Sequence, residues 1–73
     1  MRKDNNNQNN KLSEQEINIL ELAAKGMENL EIAKILYISH HTVKAHLTSA
    51  FRKLGASNRT EAVYNAVKNN FIN

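Results

Sequence analysis

Residues Ile38 to Leu54 read ISHHTVKAHLTSAFRKL, and their spacing predicts a single helix with two unlike faces. Ser39 is suited to cap it, because a serine hydroxyl accepts from an exposed first-turn amide, and no Gly or Pro interrupts the run before Gly55. Val43, Leu47, Ala50 and Leu54 recur at i, i+4, i+7 and i+11. At about 100° per residue they form one apolar stripe for a small core. The other face carries Thr42, Lys44, Ala45, Thr48 and Arg52. Between Ile38 and Thr60 stand Lys44, Arg52, Lys53 and Arg59, and no carboxylate. A helix with an apolar back and a basic, small-residue front suits the groove of a polyanion.

With 73 residues the chain has room for one domain. So short a chain buries only about 60% of its unfolded surface, so self-association would add stability. The absence of cysteine excludes a disulfide framework and a thiolate metal site, and agrees with a reducing compartment. No run approaches the roughly 18 consecutive apolar residues of a membrane span, and the polar N-terminus lacks the apolar run of a secretory signal. A soluble, cytoplasmic protein with no membrane partner is expected. The net charge of +3 matters through its distribution. Leu12 to Glu31 holds Glu14, Glu16, Glu21, Glu28 and Glu31 against the single base Lys25, whereas the segment after Ile38 is purely basic up to Thr60. The basic end coincides with the two-faced helix, although charge alone leaves open a set of ordinary solvated faces.

Residues 1–10, MRKDNNNQNN, are an Asn-rich tract that cannot bury enough apolar surface to offset the entropy of ordering it. A disordered tail is expected there, with Arg2 and Lys3 solubilising it or brushing phosphates, and a folded domain over residues 11–73. Ser13 and Glu16 in S-E-Q-E predict a capping box that starts a first helix, with Leu12 stapled onto Ile17. Ile17, Leu20, Ala23 and Ala24, widened by Ile19 and Leu22, give its apolar arc, and Gly26 ends it in a left-handed conformation. Asn29 is expected to cap a short second helix that buries Ile32, Ala33 and Leu36. Tyr37, Ile38 and Ser39 leave only a tight corner before the third helix, so the second and third cross sharply as a helix-turn-helix, with Ala33 at their close approach. Beyond Gly55, Ser57 or Asn58 caps a fourth helix whose first turn holds Glu61. Its stripe is Ala62, Val63, Ala66 and Val67. Part closes the core, and Val63, Ala66 and Val67 offer a seam for a second copy; the alternative is that all four are internal. Phe71 and Ile72 either fray or pack back on the first helix.

Seven blocks carry a resemblance: L-S-x-x-E at Leu12 to Glu16, I-L-x-L-x-A-x-G at Ile19 to Gly26, N-x-E-I-A at Asn29 to Ala33, L-x-I-S at Leu36 to Ser39, T-V-K-x-H at Thr42 to His46, K-L-G at Lys53 to Gly55 and R-T-E-A-V at Arg59 to Val63. Together they resemble the LuxR-type helix-turn-helix domain, in register from Leu12 to about Val67. The resemblance implies an all-α, four-helix bundle without a wing. It also implies a homodimeric regulator of bacterial transcription that reads double-stranded DNA, with the third helix, about residues 40–54, in the major groove and the fourth pairing two copies. RNA polymerase is a further partner it suggests. Lys44, Ala45 and Thr48 occupy the positions that face base edges in the family. Their chemistry agrees: lysine donates to guanine O6 and N7, threonine serves a thymine methyl or a polar edge, and alanine keeps the backbone close. Ser39, His40, His41 and Thr42 match phosphate-holding positions at a helix start, with Arg52, Lys53 and Arg59 as further phosphate candidates; Lys53 is equally read as an ordinary solvated residue.

Two departures from the family pattern stand out. Ser49-Ala50 replaces the common Asn-Ile and removes a large side chain beside Phe51. His40 and His41 stand together where an acid is common, which should strengthen contact with phosphate. No cofactor, metal or small-molecule ligand is expected. His41 and His46 lie about 140° apart on a helix and no cysteine or nearby carboxylate completes a ligand set. Ser39 and His41 have no third group to orient a base, so the chain is not read as an enzyme. The alternative function is a protein-interaction module that keeps the fold and forms mixed dimers with another regulator; the basic front of the third helix argues against it. A self-contained small regulator is preferred over an excised C-terminal piece of a longer one.

Overall fold

The computed structural model describes residues 11–73, which form α1 (Glu14–Ala24), α2 (Asn29–Leu36), α3 (His40–Leu54) and α4 (Arg59–Lys68), with no strand among them. The tail expected over residues 1–10, with Arg2 and Lys3, lies outside the described residues. The fold of the described residues is all-α, as the resemblance implied.

Local signals start α1 where expected. The Ser13 hydroxyl accepts from the Glu16 N–H at 3.1 Å, and the Glu16 carboxylate accepts from the Ser13 N–H at 2.8 Å. Leu12, just ahead of the cap, is buried. The buried arc holds Ile19, Leu20 and Ala23, and Glu16 falls within it. Ala24, expected in the arc, is exposed, because the arc is centred nearer Ala23 and leaves Ala24 at its edge. The helix ends with the Gly26 N–H donating to Ala23 O at 3.0 Å and the Met27 N–H reaching back to Leu22 O at 3.3 Å. This closure needs a left-handed residue after the cap. Gly26, at φ +90, supplies it, and a Cβ there would meet open space, so the backbone alone calls for glycine.

The start of α2 corrects one expectation. Its cap is Glu28, whose N–H donates to the Glu31 carboxylate at 3.0 Å. Asn29 is the first helical residue, and its side-chain oxygen is committed to Arg59. The corner of the helix-turn-helix is as short as the sequence implied. Tyr37 closes α2 in the left-handed region at φ 58 and ψ 43, its N–H donating to Ala33 O, and Ser39 already caps α3. The Ser39 hydroxyl accepts from the Thr42 N–H at 3.1 Å.

Ile19, Leu20, Ile32 and Val43 are the largest fully buried side chains, each contributing about 1.5–3 kcal/mol by leaving water. Ala50, Ala62 and Ala66 are equally inaccessible. These alanines fill core positions with no accessible space, so enlarging any of them would cost about 1–3 kcal/mol in overpacking. Phe51 packs half-buried against this core beside Ala50. After α4, Asn70 adopts φ 64 and the Phe71 N–H returns to Ala66 O at 2.8 Å. That turn sends Ile72, which is buried, back against the end of α1 beside Glu21, Ala24 and Lys25. The last residues therefore pack back instead of fraying.

Candidate nucleic-acid interface

The two faces of α3 separate as the periodicity requires. Val43, Leu47 and Ala50 are buried, and His40, His41, Lys44, Ala45, Thr48 and Arg52 are exposed. At about 100° per residue, His41, Lys44, Ala45, Thr48 and Arg52 fall within one arc of roughly 100°. They therefore form a row along the helix, with His40 at its edge. The Thr48 hydroxyl donates to Lys44 O at 3.0 Å, which leaves its methyl group and lone pairs for a partner. Thr42 is exposed but points around the flank, its hydroxyl 2.9 Å from that of Ser39. The His40 and His41 rings lie against each other, centroids 4.2 Å apart and planes tilted by 31°. As the first two residues of α3, their amides have no carbonyl within the helix to donate to. Every other helix carries an acid in its first turn; α3 has none.

Two of the expected phosphate contacts are otherwise employed. The Lys53 ammonium lies 3.0 Å from the buried Glu16 carboxylate, joining the last turn of α3 to the first turn of α1. Arg59 donates through Nη1 to Asn29 Oδ1 at 2.8 Å and through Nη2 to Met27 O. Its guanidinium thus clasps the α1–α2 turn to the start of α4. Both side chains are fixed by partners 30 or more residues away in sequence, which no local pattern reveals. Neither is a free cation on the α3 front.

Glu16 is the residue whose role was least visible in the sequence. It closes the capping box and also receives Lys53. Burial pushes its carboxyl up, but the Ser13 amide, Lys53 and Ser49 outweigh that and hold it below the usual carboxylate value. Ser49, one of the two departures from the family pattern, is thus one of the groups that favour the charged form of this carboxylate. A further tie, from the Asn65 side-chain amide to Leu54 O at 3.0 Å, fastens the end of α3 to α4. Together these contacts fix the pitch of α3 on the bundle and leave its front clear.

The fourth-helix stripe divides. Ala66 is wholly buried inside the chain, so it cannot touch a second copy, and it leaves the expected seam. Val63 is half-buried and Val67 is 43% exposed. Tyr64, which the sequence reading passed over, is 63% exposed on the same side, with the Lys68 ammonium 6.0 Å from its ring centre. A large aromatic on an outward helical face was the available signal. Among the described residues no helix is long and apolar enough to cross a membrane.

This architecture has solved and curated counterparts. The response regulator ChrA of a heme-sensing two-component system is 42% identical and superposes with a TM-score of 0.83, over 85% of this chain and 31% of that one. The transcriptional regulatory protein YdfI of Bacillus subtilis is 44% identical over 61 residues, 84% of this chain and 29% of YdfI. RpaR of Rhodopseudomonas palustris, an HTH-type quorum sensing-dependent transcriptional regulator, is 50% identical over 58 residues, 80% of this chain and 24% of its own length. The chain thus spans less than a third of each of these proteins. The family model of bacterial regulatory proteins, luxR family, matches residues 10–66 and so takes in all of α1, α2 and α3 and most of α4. With helix order, corner, exposed row and sequence in agreement, the chain belongs to the luxR family of bacterial regulatory proteins, which are transcription regulators and not enzymes.

Proposed function

We propose that this chain is a sequence-specific, dimeric DNA-binding module that regulates transcription, with α3 lying in the major groove. The observation that carries the reading is the exposed, acid-free row on α3 above a buried apolar back. Lys44 donates to guanine O6 or N7, Thr48 offers a methyl and acceptors to the neighbouring base edge, and Ala45 lets the helix approach closely. Phosphates on either side are held by the His40 and His41 amides and rings, by the Ser39–Thr42 hydroxyl pair, and by Arg52. Two copies pair through Val63, Tyr64 and Val67 of α4, which places two recognition helices on a two-fold symmetric site about one helical turn of DNA apart.

Fluorescence-anisotropy titrations onto random-sequence and genome-selected duplexes, at several salt concentrations and over a range of protein concentrations, test this. Steeply salt-dependent binding with a preference of about 10³-fold or more for selected sites is the expected result. A folded protein that binds no duplex at low salt would refute it and turn attention to mixed dimers formed through α4.

A further inference from the structure

We propose that DNA binding by this chain is linked to proton uptake by the His40–His41 pair, so that affinity rises as the pH falls through the imidazole range. The inference rests on the reading of α3 as the DNA-binding helix. Both rings are exposed in the first turn of α3, 4.2 Å apart, next to the row of Lys44, Ala45 and Thr48. Imidazole is the side chain that ordinarily changes charge between pH 5 and 8.

Among the described residues no acid is committed to the pair. On α3 the nearest fixed charge is Lys44, three and four residues on, with Arg52 two turns further. Of the elements packed against α3, α1 spends Glu16 on Ser13 and Lys53, and its Glu14, Glu21 and Lys25 are exposed. The second helix contributes the exposed Lys34 in its last turn, and the corner adds the exposed Tyr37 phenol. The fourth directs Arg59 at Met27 and Asn29, and Glu61 at the Ser57 amide. Among the described residues no carboxylate hydrogen-bonds or ion-pairs with either ring.

Phosphate oxygens brought against the pair favour the charged form of both rings, each of which then donates a charge-assisted hydrogen bond. A proton taken up on binding must by linkage make the affinity depend on pH, with a limit of tenfold per pH unit for each proton. Lysine, arginine and the DNA phosphodiesters keep their charge across this range, and the carboxylates ordinarily keep theirs. The third histidine, His46, is half-buried on the flank of α3, away from the row.

The test is the dissociation constant of the full chain for a short random-sequence duplex at pH 7.5 and pH 6.0, at constant ionic strength. The wild type and His40→Gln/His41→Gln, which retains His46 and the terminal amine, are compared. Binding of the wild type should tighten at least about fivefold over this interval, and that of the double variant less than about twofold. Equal pH slopes for the two proteins overturn the proposal while leaving DNA binding intact. Calorimetry of the wild type at pH 6.5 in two buffers of different ionisation enthalpy gives a second reading that needs no variant. Net proton uptake supports the linkage and zero uptake overturns it. Absence of binding by either protein at either pH overturns the DNA-binding reading itself, and the linkage with it.

Discussion

Replacing Glu16 by glutamine separates two contributions of one carboxylate. Glutamine keeps the shape and an oxygen that can accept from the Ser13 N–H, so the capping box survives. What it removes is the charge that holds the Lys53 ammonium at 3.0 Å. Glu16 is only 4% exposed, and Lys53 is partly sheltered, so solvent screens the pair weakly. The loss at neutral pH should be about 1–2 kcal/mol, the difference between charge-assisted and neutral hydrogen bonds at a sheltered site. In a domain of this size that lowers Tm by roughly 5–15 °C. The carboxyl is held below its usual value in the folded chain. Its contribution is therefore fully present above the unfolded-state pKa and is lost as the pH falls through the folded-state value. Urea denaturation followed by circular dichroism from pH 7 down to pH 3 should show the gap between wild type and Glu16→Gln closing on the acid side. A gap that stays constant to pH 3, or a variant as stable as wild type at pH 7, would refute this account of the α1–α3 anchor.

Arg59→Ala should lower stability by about 2 kcal/mol, since it removes the donors to Met27 O and Asn29 Oδ1, and should leave the salt slope of DNA binding unchanged. Denaturation and anisotropy titrations read the two effects separately. Lys44→Ala should weaken binding to a selected site by about 1–3 kcal/mol and relax preference at one base pair, with the unfolding midpoint nearly unmoved because Lys44 is exposed. Arg52→Ala should reduce the salt slope by about 1 per protomer without erasing sequence preference. Val67→Asp should abolish self-association in sedimentation velocity while the monomer stays folded, because Val67 is 43% exposed on α4.

Signals that operate within one turn of helix were legible in the sequence. The Ser13–Glu16 box, the Ser39 cap and the two-faced pattern of α3 all appear where residue type and spacing put them, and of the two candidates Ser57 and Asn58 it is Asn58 that caps α4. Asn29 shows how such a signal fails. It has the chemistry of a cap, yet Glu28 takes the position, paired with Glu31, and the Asn29 amide turns to a residue 30 positions away. The same competition governed the charges. Counting Lys44, Arg52, Lys53 and Arg59 as one basic front treats each as independent, whereas tertiary contacts recruit two of them. Lys53 reaches back 37 residues to Glu16, and Arg59 reaches back 32 to Met27. Each fixed charge that meets a phosphate steepens the salt dependence by about 0.9, so Arg52, Lys53 and Arg59 together, with Lys44 on a base edge, give a dimer slope of about −5. Arg52 alone gives about −2, before any contribution from protonated histidine. A measured slope of about −2 at pH 7.5 would therefore mean that Lys53 and Arg59 hold the bundle together while the α3 front holds the DNA. A slope of about −5 would mean that the anchors of this fold open on binding.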